Sequence, residues 1–188
     1  CGWLASVFGL RRYLVWNSLI FLTSSVLCGS AWSLESLIVF RAVQGFTGGA
    51  FIPMASTLTL AMLPPSRRPM GFALFAMTAM FAPAIGPTVG GWITEVWGWP
   101  WVFYLNLVPG AAFLAAIAWG LDPEPARADL LRSADWAGIG LMAAGLGSLT
   151  VFLEEGTRKD WFSSPMIVQL AVVAAVALPL FVAVQLGR

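Results

Sequence analysis

An arginine and a glutamine three residues apart interrupt an otherwise apolar stretch, Leu37-Ile-Val-Phe-Arg41-Ala-Val-Gln44-Gly45-Phe-Thr-Gly48-Gly49-Ala50. A guanidinium has only N–H donors and keeps its charge, so at apolar depth its chemistry is to hold an anion or a carbonyl rather than to titrate. On a helix Gln44 and Gly45 share the face of Arg41, and Gly45 and Gly49 repeat at a spacing that lets a neighbouring helix come close. A second reading stays open: Arg41 lies about five residues, or ~7 Å, into its helix and can extend to the outer boundary.

The run Ala82-Pro-Ala-Ile-Gly-Pro-Thr-Val-Gly-Gly91 places helix breakers in equally apolar sequence. Pro83 and Pro87 each remove an i to i−4 hydrogen bond, and Ala82, Gly86 and Gly90 fall on one face, with Gly91 beside them. These residues predict a bent helix pressed against a neighbour. Such a contact serves either a seam that slides or rocks without leaking, or a static kinked packing surface. At the start, Gly2-Trp-Leu4-Ala-Ser6-Val-Phe-Gly9-Leu-Arg11-Arg12 reads as a tight turn between two crossings, its arginines explained by topology alone. Arg67 and Arg68, after Pro64-Pro65, read as topology charges too.

Other chemistries are excluded by what the chain lacks. It has no histidine, which removes His-based metal sites, His bases and Ser-His-Asp arrangements. Its two cysteines, Cys1 and Cys28, have neither metal-ligand spacing nor a disulfide framework. The nine acids, Glu35, Glu95, Glu154, Glu155, Asp160, Asp122, Glu124, Asp129 and Asp135, all fall at apolar-segment boundaries. None sits where burial would raise a carboxyl pKa for a proton relay. Glu154-Glu155 comes nearest, reading as a solvated helix end or a cation-binding pair. No catalytic set, no metal and no cofactor is therefore expected, and an enzyme is disfavoured.

The elements that must position these residues are membrane helices. The chain is 59% hydrophobic and 10% charged, with mean hydropathy +0.83, against about 45–50% and about 25% in soluble domains. A net charge of +1 gives no hint of nucleic acid. Six apolar stretches, roughly 13–32, 36–62, 70–93, 101–120, 136–153 and 166–187, each approach the ~20 residues that cross a hydrocarbon core of ~30 Å. Arg11, Arg12, Arg67, Arg68, Arg127, Arg132 and Arg188, seven of the ten basic residues, fall on one side, which is then cytoplasmic. Tryptophans agree: Trp32, Trp92, Trp97, Trp99, Trp101 and Trp161 mark the outer boundary and Trp3, Trp119 and Trp136 the inner one. The Pro- and charge-rich link 121–135 divides four helices (1–120) from two (136–188). A first residue of Cys and a last helix ending in Gly-Arg read as edges within a longer protein.

These residues together resemble the major facilitator superfamily, and within it the fourteen-helix drug/proton antiporters of the EmrB/QacA type. The stretch holding Leu37, Arg41, Gln44, Gly45, Gly48, Gly49 and Ala50 is similar to that family's fourth-helix signature, where the arginine is implicated in proton coupling. Gly86-Pro87-x-x-Gly90-Gly91 resembles the antiporter signature of the fifth helix, with Ala82 in place of a glycine. Gly2, Leu4, Ala5, Gly9 and Arg11 resemble the cytoplasmic signature between the second and third helices, with Ser6 where most of the superfamily has an acid. Trp99-Pro-Trp-Val-Phe-Tyr-Leu-Asn-Leu-Val-Pro-Gly110 is similar to the join of the fifth and sixth helices. Asp135-Trp-Ala-Gly and Asp160-Trp-Phe-Ser-Ser bracket a further helix typical of the longer branch.

The resemblance implies an all-α polytopic bundle holding helices three to eight of fourteen. Residues 1–120 are then part of the N-terminal transporter bundle and 136–188 the extra pair. It implies an integral inner-membrane transporter exporting small amphiphilic, often cationic, compounds against protons by alternating access. Arg41, Gln44 and Gly45 serve coupling; Gly86, Pro87, Gly90 and Gly91 form the bent contact; Gly2, Gly9, Arg11 and Arg12 form the cytoplasmic gate. The membrane carboxylate would lie in the first helix. The lipid bilayer is a partner, nucleic acid is not, and a periplasmic adaptor stays open. A metabolite facilitator or importer of the same fold and a non-transporting scaffold are the rival readings.

Overall fold

The computed structural model describes residues 2–122, 124–125, 127 and 135–187. Asp129, Arg132, Arg188 and most of the expected link 121–135 lie outside the described residues. The elements in order are α1 (Gly2–Phe8), α2 (Leu10–Gly29), α3 (Leu34–Gly48), α4 (Phe51–Met62), α5 (Arg68–Trp97), α6 (Pro100–Tyr104), α7 (Leu107–Gly120), α8 (Trp136–Glu155) and α9 (Pro165–Leu186). There is no strand among the described residues. The chain divides into two compact units, Cys1–Asp129 and Leu130–Arg188, at a point inside the 121–135 stretch.

Five helical stretches are long and apolar enough to cross a membrane, where six were expected: Leu34–Met62, Pro65–Trp97, Pro100–Gly120, Trp136–Glu155 and Pro165–Leu186. The expected span 13–32 is the exception. Its helix α2 has 20 residues, about 30 Å at 1.5 Å per residue, so length is not what sets it apart. Asn17, Ser18, Thr23, Ser24 and Ser25 lower its hydropathy. The cause is position: α2 buries Leu14, Asn17, Ser18, Leu22, Ser24, Ser25, Cys28 and Gly29 and packs on α1, α3, α6 and α7. A helix walled by protein can carry polar groups that lipid would penalise.

Two expected spans prove to be pairs of half-helices. The stretch 36–62 breaks at Gly49–Ala50, between α3 and α4, and the stretch 101–120 breaks at Leu105–Asn106, between α6 and α7. Each break falls four residues before a proline, Pro53 or Pro109. Proline has no N–H for the carbonyl at i−4 and its ring collides with that carbonyl, so Gly49 and Leu105 cannot keep regular helix bonds. The chain tightens instead: Ala50 N–H bonds Thr47 O at 3.2 Å and Asn106 N–H bonds Phe103 O at 3.2 Å. Helix α5, by contrast, runs through Pro83 and Pro87 as one element of 30 residues, longer than the expected 70–93.

Helix ends are closed by side chains. Arg68 reaches back to Leu60 O at 3.0 Å and Leu63 O at 3.2 Å, and Arg11 reaches Ala118 O at 2.9 Å. Both guanidiniums satisfy orphan carbonyls at a helix C-terminus, a structural duty beyond the topology charge expected of them. Between α5 and α6, Gly98 takes φ of 91°, a region L-residues avoid. A run of rings, Trp92 edge-on to Trp97 at 5.3 Å, Trp97 tilted against Trp101 at 5.8 Å and Trp101 edge-on to Tyr104 at 5.8 Å, braces that turn.

The core of the first unit gathers Ala5, Leu14, Met54 and Ile117. The second unit is a hairpin of α8 and α9. Asp135 caps α8 through Gly138 N–H at 2.8 Å and also accepts from Gln185 Nε2. Ile167, Ala174 and Ala177 are buried, and Leu178 covers Gly145.

Candidate functional site

Around Arg41 the first unit builds a hydrogen-bonded network that joins α2, α3, α6 and α7. The Arg41 guanidinium donates through Nη1 to Gln44 Oε1 at 2.9 Å and lies 5.5 Å from the centre of the Phe103 ring, a favourable cation–π distance. Side chains on helices ordinarily lean toward the N-terminus. Reaching forward to Gln44 turns the guanidinium away from the outer boundary, so extension to that surface is not the conformation adopted. The remaining guanidinium donors have no partner among the described residues, whose one ion pair is Arg158 with Glu155 at 3.4 Å.

Gln44 is 3% exposed. Its Nε2 donates to Ser25 Oγ at 2.8 Å, and its Oε1 also receives a weak S–H contact from buried Cys28 at 3.8 Å. Ser25, fully buried, donates to Phe103 O at 2.8 Å and accepts a second bond from Asn106 Nδ2 at 3.0 Å. Its hydroxyl thus uses its donor and both acceptor positions. Phe103 and Asn106 lie at the break between α6 and α7, so the split span sets beside α2 the carbonyl and the amide that complete the network. At the other break, Asn17 Nδ2 donates to Thr47 O at 2.9 Å, two residues before Gly49.

Sequence reasoning named Arg41, Gln44 and Gly45 but missed Ser25, Asn106, Asn17, Thr47 and Cys28. The available signal was the polar content of the least apolar stretch, read together with an asparagine five residues after Trp101 of the tryptophan-rich turn. Gly45 is not part of the network. Nothing lies within 4 Å of a Cβ placed on it, and a Cβ on Gly49 meets only the backbone of residues 45 and 46. The close approach expected at Gly45 and Gly49 is replaced by one at Gly48, whose Cβ position is 3.3 Å from Phe21. The reason is helical phase: Arg41, Gln44 and Gly48 follow one stripe toward α2, and Gly45 and Gly49 look away from it.

The expected tight contact at Gly86, Gly90 and Gly91 has no neighbour either. No atom among the described residues lies within 4 Å of a Cβ at any of the three, and Pro87 sits with them on a helix whose buried residue is Ile93. At the α1–α2 turn, Gly2 opens α1 and Gly9 takes φ of 83°, with Glu124 O only 2.9 Å from its Cβ position. Arg127 N–H bonds Val7 O at 2.7 Å and Leu10 N–H bonds Glu124 Oε2 at 3.4 Å, so the segment after α7 lies across this turn. Arg11 is held on α7, as described. Arg12 lines a cavity of about 490 Å³ with Trp16, Asn17 and Phe46. No cluster of metal-ligating side chains occurs among the described residues.

Comparison with known proteins gives one family. The sequence model of the Major Facilitator Superfamily matches residues 1–187. The chain is 38% identical over 187 residues to the fatty acid resistance protein FarB of Neisseria gonorrhoeae, covering 100% of this chain and 37% of that protein. It is 40% identical over 177 residues to the multidrug export protein EmrB of Haemophilus influenzae, covering 94% of this chain and 34% of that protein. With the colistin resistance protein EmrB of Acinetobacter baumannii it shares 40% over 157 residues, 84% of this chain and 31% of the relative. The chain spans about a third of the length of these relatives. No solved structure matches it.

Proposed function

The chain belongs to the major facilitator superfamily, a family of transporters rather than enzymes, and from that premise we propose that this multi-pass integral membrane protein exports amphiphilic compounds by proton antiport. The observation that carries the reading is Arg41. Its side chain is exposed, and its guanidinium is held against the first unit by Gln44 and Phe103 while keeping donors unused, the state expected of a cation that waits for a mobile carboxylate. When such an acid is ionised it pairs with Arg41, and when it is protonated the pairing weakens, so proton binding changes which bundle arrangement is favoured.

In this reading Gln44 sets the position of Arg41, and Gly45 leaves the adjacent face clear for the partner helix. Gly86, Pro87, Gly90 and Gly91 offer a small-residue face to helices beyond these residues and discourage leak when packed. Gly2, Gly9, Arg11 and Arg12 belong to the cytoplasmic gate, and the contacts of Gly9 with the chain after α7 and of Arg11 with α7 itself support that role. Residues 1–120 form part of the N-terminal bundle and 136–188 an additional helix pair. The names of the relatives, which cite fatty acid resistance, colistin resistance and multidrug export, favour amphiphiles as the substrate class. A periplasmic adaptor is a further partner under this reading, and nothing among the described residues selects one.

The test is transport by the full-length protein in proteoliposomes under an imposed pH gradient, with a fluorescent amphiphilic cation as substrate. Arg41→Ala, present at wild-type level, should lose proton-driven flux. Equal flux in both would remove the coupling role, and flux indifferent to the gradient would mark a facilitator.

A further inference from the structure

Between α2, α4, α5 and α7 the first unit holds an open cavity of about 380 Å³, within the range of about 300–1,000 Å³ typical of small-molecule sites. Its wall is aromatic: Phe21 meets Phe51 edge-on at 5.3 Å, and Phe51 meets Phe113 at 5.7 Å. Met54 adds an adaptable thioether, and no charged residue lines the space. Two polar residues do, Ser18 and Asn106.

Ser18 is 2% exposed, and its Oγ has no hydrogen-bond partner, the one buried side-chain N or O so placed among the described residues. The other buried polar side chains of α2 are engaged: Asn17 with Thr47, Ser24 with Phe21 O, Ser25 with three groups. An isolated hydroxyl in an apolar interior is costly unless something accepts its proton. A trapped water needs about two to four polar partners, and besides Ser18 the wall supplies only Asn106, one of whose two amide N–H donors already goes to Ser25. The demand is for one acceptor atom attached to a body of carbon.

We infer that this cavity is a binding site for a neutral, largely apolar molecule bearing one acceptor oxygen, which receives the Ser18 hydroxyl while its hydrocarbon or aromatic part packs among Phe21, Phe51, Phe113 and Met54. A cation finds no carboxylate here and an anion no guanidinium, so neither is the ligand. The inference rests on this cavity alone and holds whether or not Arg41 couples protons. A free compound and the ester group of a bilayer lipid share the required chemistry.

Benzophenone, neutral and aromatic with one carbonyl, tests it, because irradiation attaches it to whatever C–H bonds it touches. The full-length protein is labelled in detergent and in phospholipid nanodiscs and the sites are read by peptide mass spectrometry. Labelling should saturate and concentrate on lining residues such as Met54. Diphenylmethane, the same shape without the acceptor, should compete about fivefold less well than unlabelled benzophenone, and Ser18→Ala should close that gap. Ala55→Trp, which fills the cavity, should abolish the labelling; where that variant does not assemble, the Ser18→Ala competition decides. Labelling in both media assigns the site to free compounds. Labelling in detergent alone assigns it to lipid esters, and either outcome supports the site. Labelling scattered over exposed helix faces, or a competition gap unchanged in Ser18→Ala, overturns it.

Discussion

Ser24 and Ser25 are adjacent, both buried, on the same helix, yet they should differ sharply when truncated. Ser24 Oγ donates to Phe21 O at 2.9 Å within its own helix, a local bond whose loss frees no other residue. Ser25 Oγ serves Gln44, Asn106 and Phe103. Interhelical hydrogen bonds in membranes average about 0.6 kcal/mol each, so three give about 2 kcal/mol. The Gln44 amide is 3% exposed and cannot turn to water, and an abandoned buried donor adds on the order of 1 kcal/mol. Ser25→Ala should therefore destabilise the fold by about 2–3 kcal/mol and Ser24→Ala by less than about 0.5 kcal/mol. Reversible unfolding of the full-length protein in mixed micelles, followed by tryptophan fluorescence, measures both. Equal effects, or a larger one at Ser24, would refute the description of Ser25 as the joint of three helices.

Other substitutions probe other joints. Gly9→Ala combines a φ of 83° with a Cβ 2.9 Å from Glu124 O, and should cost about 1–3 kcal/mol, visible in the same unfolding assay. In the second unit, Gly145→Ala drives a Cβ to 2.7 Å from Leu178 and 3.3 Å from its backbone nitrogen, whereas Gly147→Ala meets nothing within 4 Å. The first should destabilise by about 1–3 kcal/mol and the second should stabilise by up to about 1 kcal/mol, as Ala is the better helix former. Gly90→Ala likewise meets nothing within 4 Å; it should leave folding of the first unit unharmed by circular dichroism, so that lost transport in the full-length protein would report a helix seated on this face.

Much of the helical layout was legible because apolar length and arginine placement are properties of single segments. The two half-helix breaks were legible in principle, since Pro53 and Pro109 stand in the sequence, but proline alone does not decide between a break and continuation, as Pro83 and Pro87 in unbroken α5 demonstrate. Which decision is taken depends on what packs beside the break, and Thr47 O, Phe103 O and Asn106, next to the two breaks, have partners on α2. That is tertiary information. For the same reason Arg41 and Gln44 could be named from their chemistry, whereas Ser25 could not. A serine inside a helix is unremarkable until three donors and acceptors from elsewhere converge on it. The glycine faces were legible only in part for the complementary reason: spacing says which residues align, not which side another helix occupies.

The saturation of Ser25 limits how protons can move here. A hydroxyl passes a proton along a wire only if it can accept one on one side while releasing its own on the other, and the release must go to a group that can hand it onward. The Ser25 proton points at the Phe103 carbonyl, a backbone acceptor with nowhere to send it, and both of its lone pairs face amide N–H groups that do not ionise. The row from Arg41 to Asn106 is thus an insulator for protons and a strut for force. Any coupling through it must travel as displacement, with the guanidinium pulling on Gln44 and the strain arriving at the loose joint between α6 and α7.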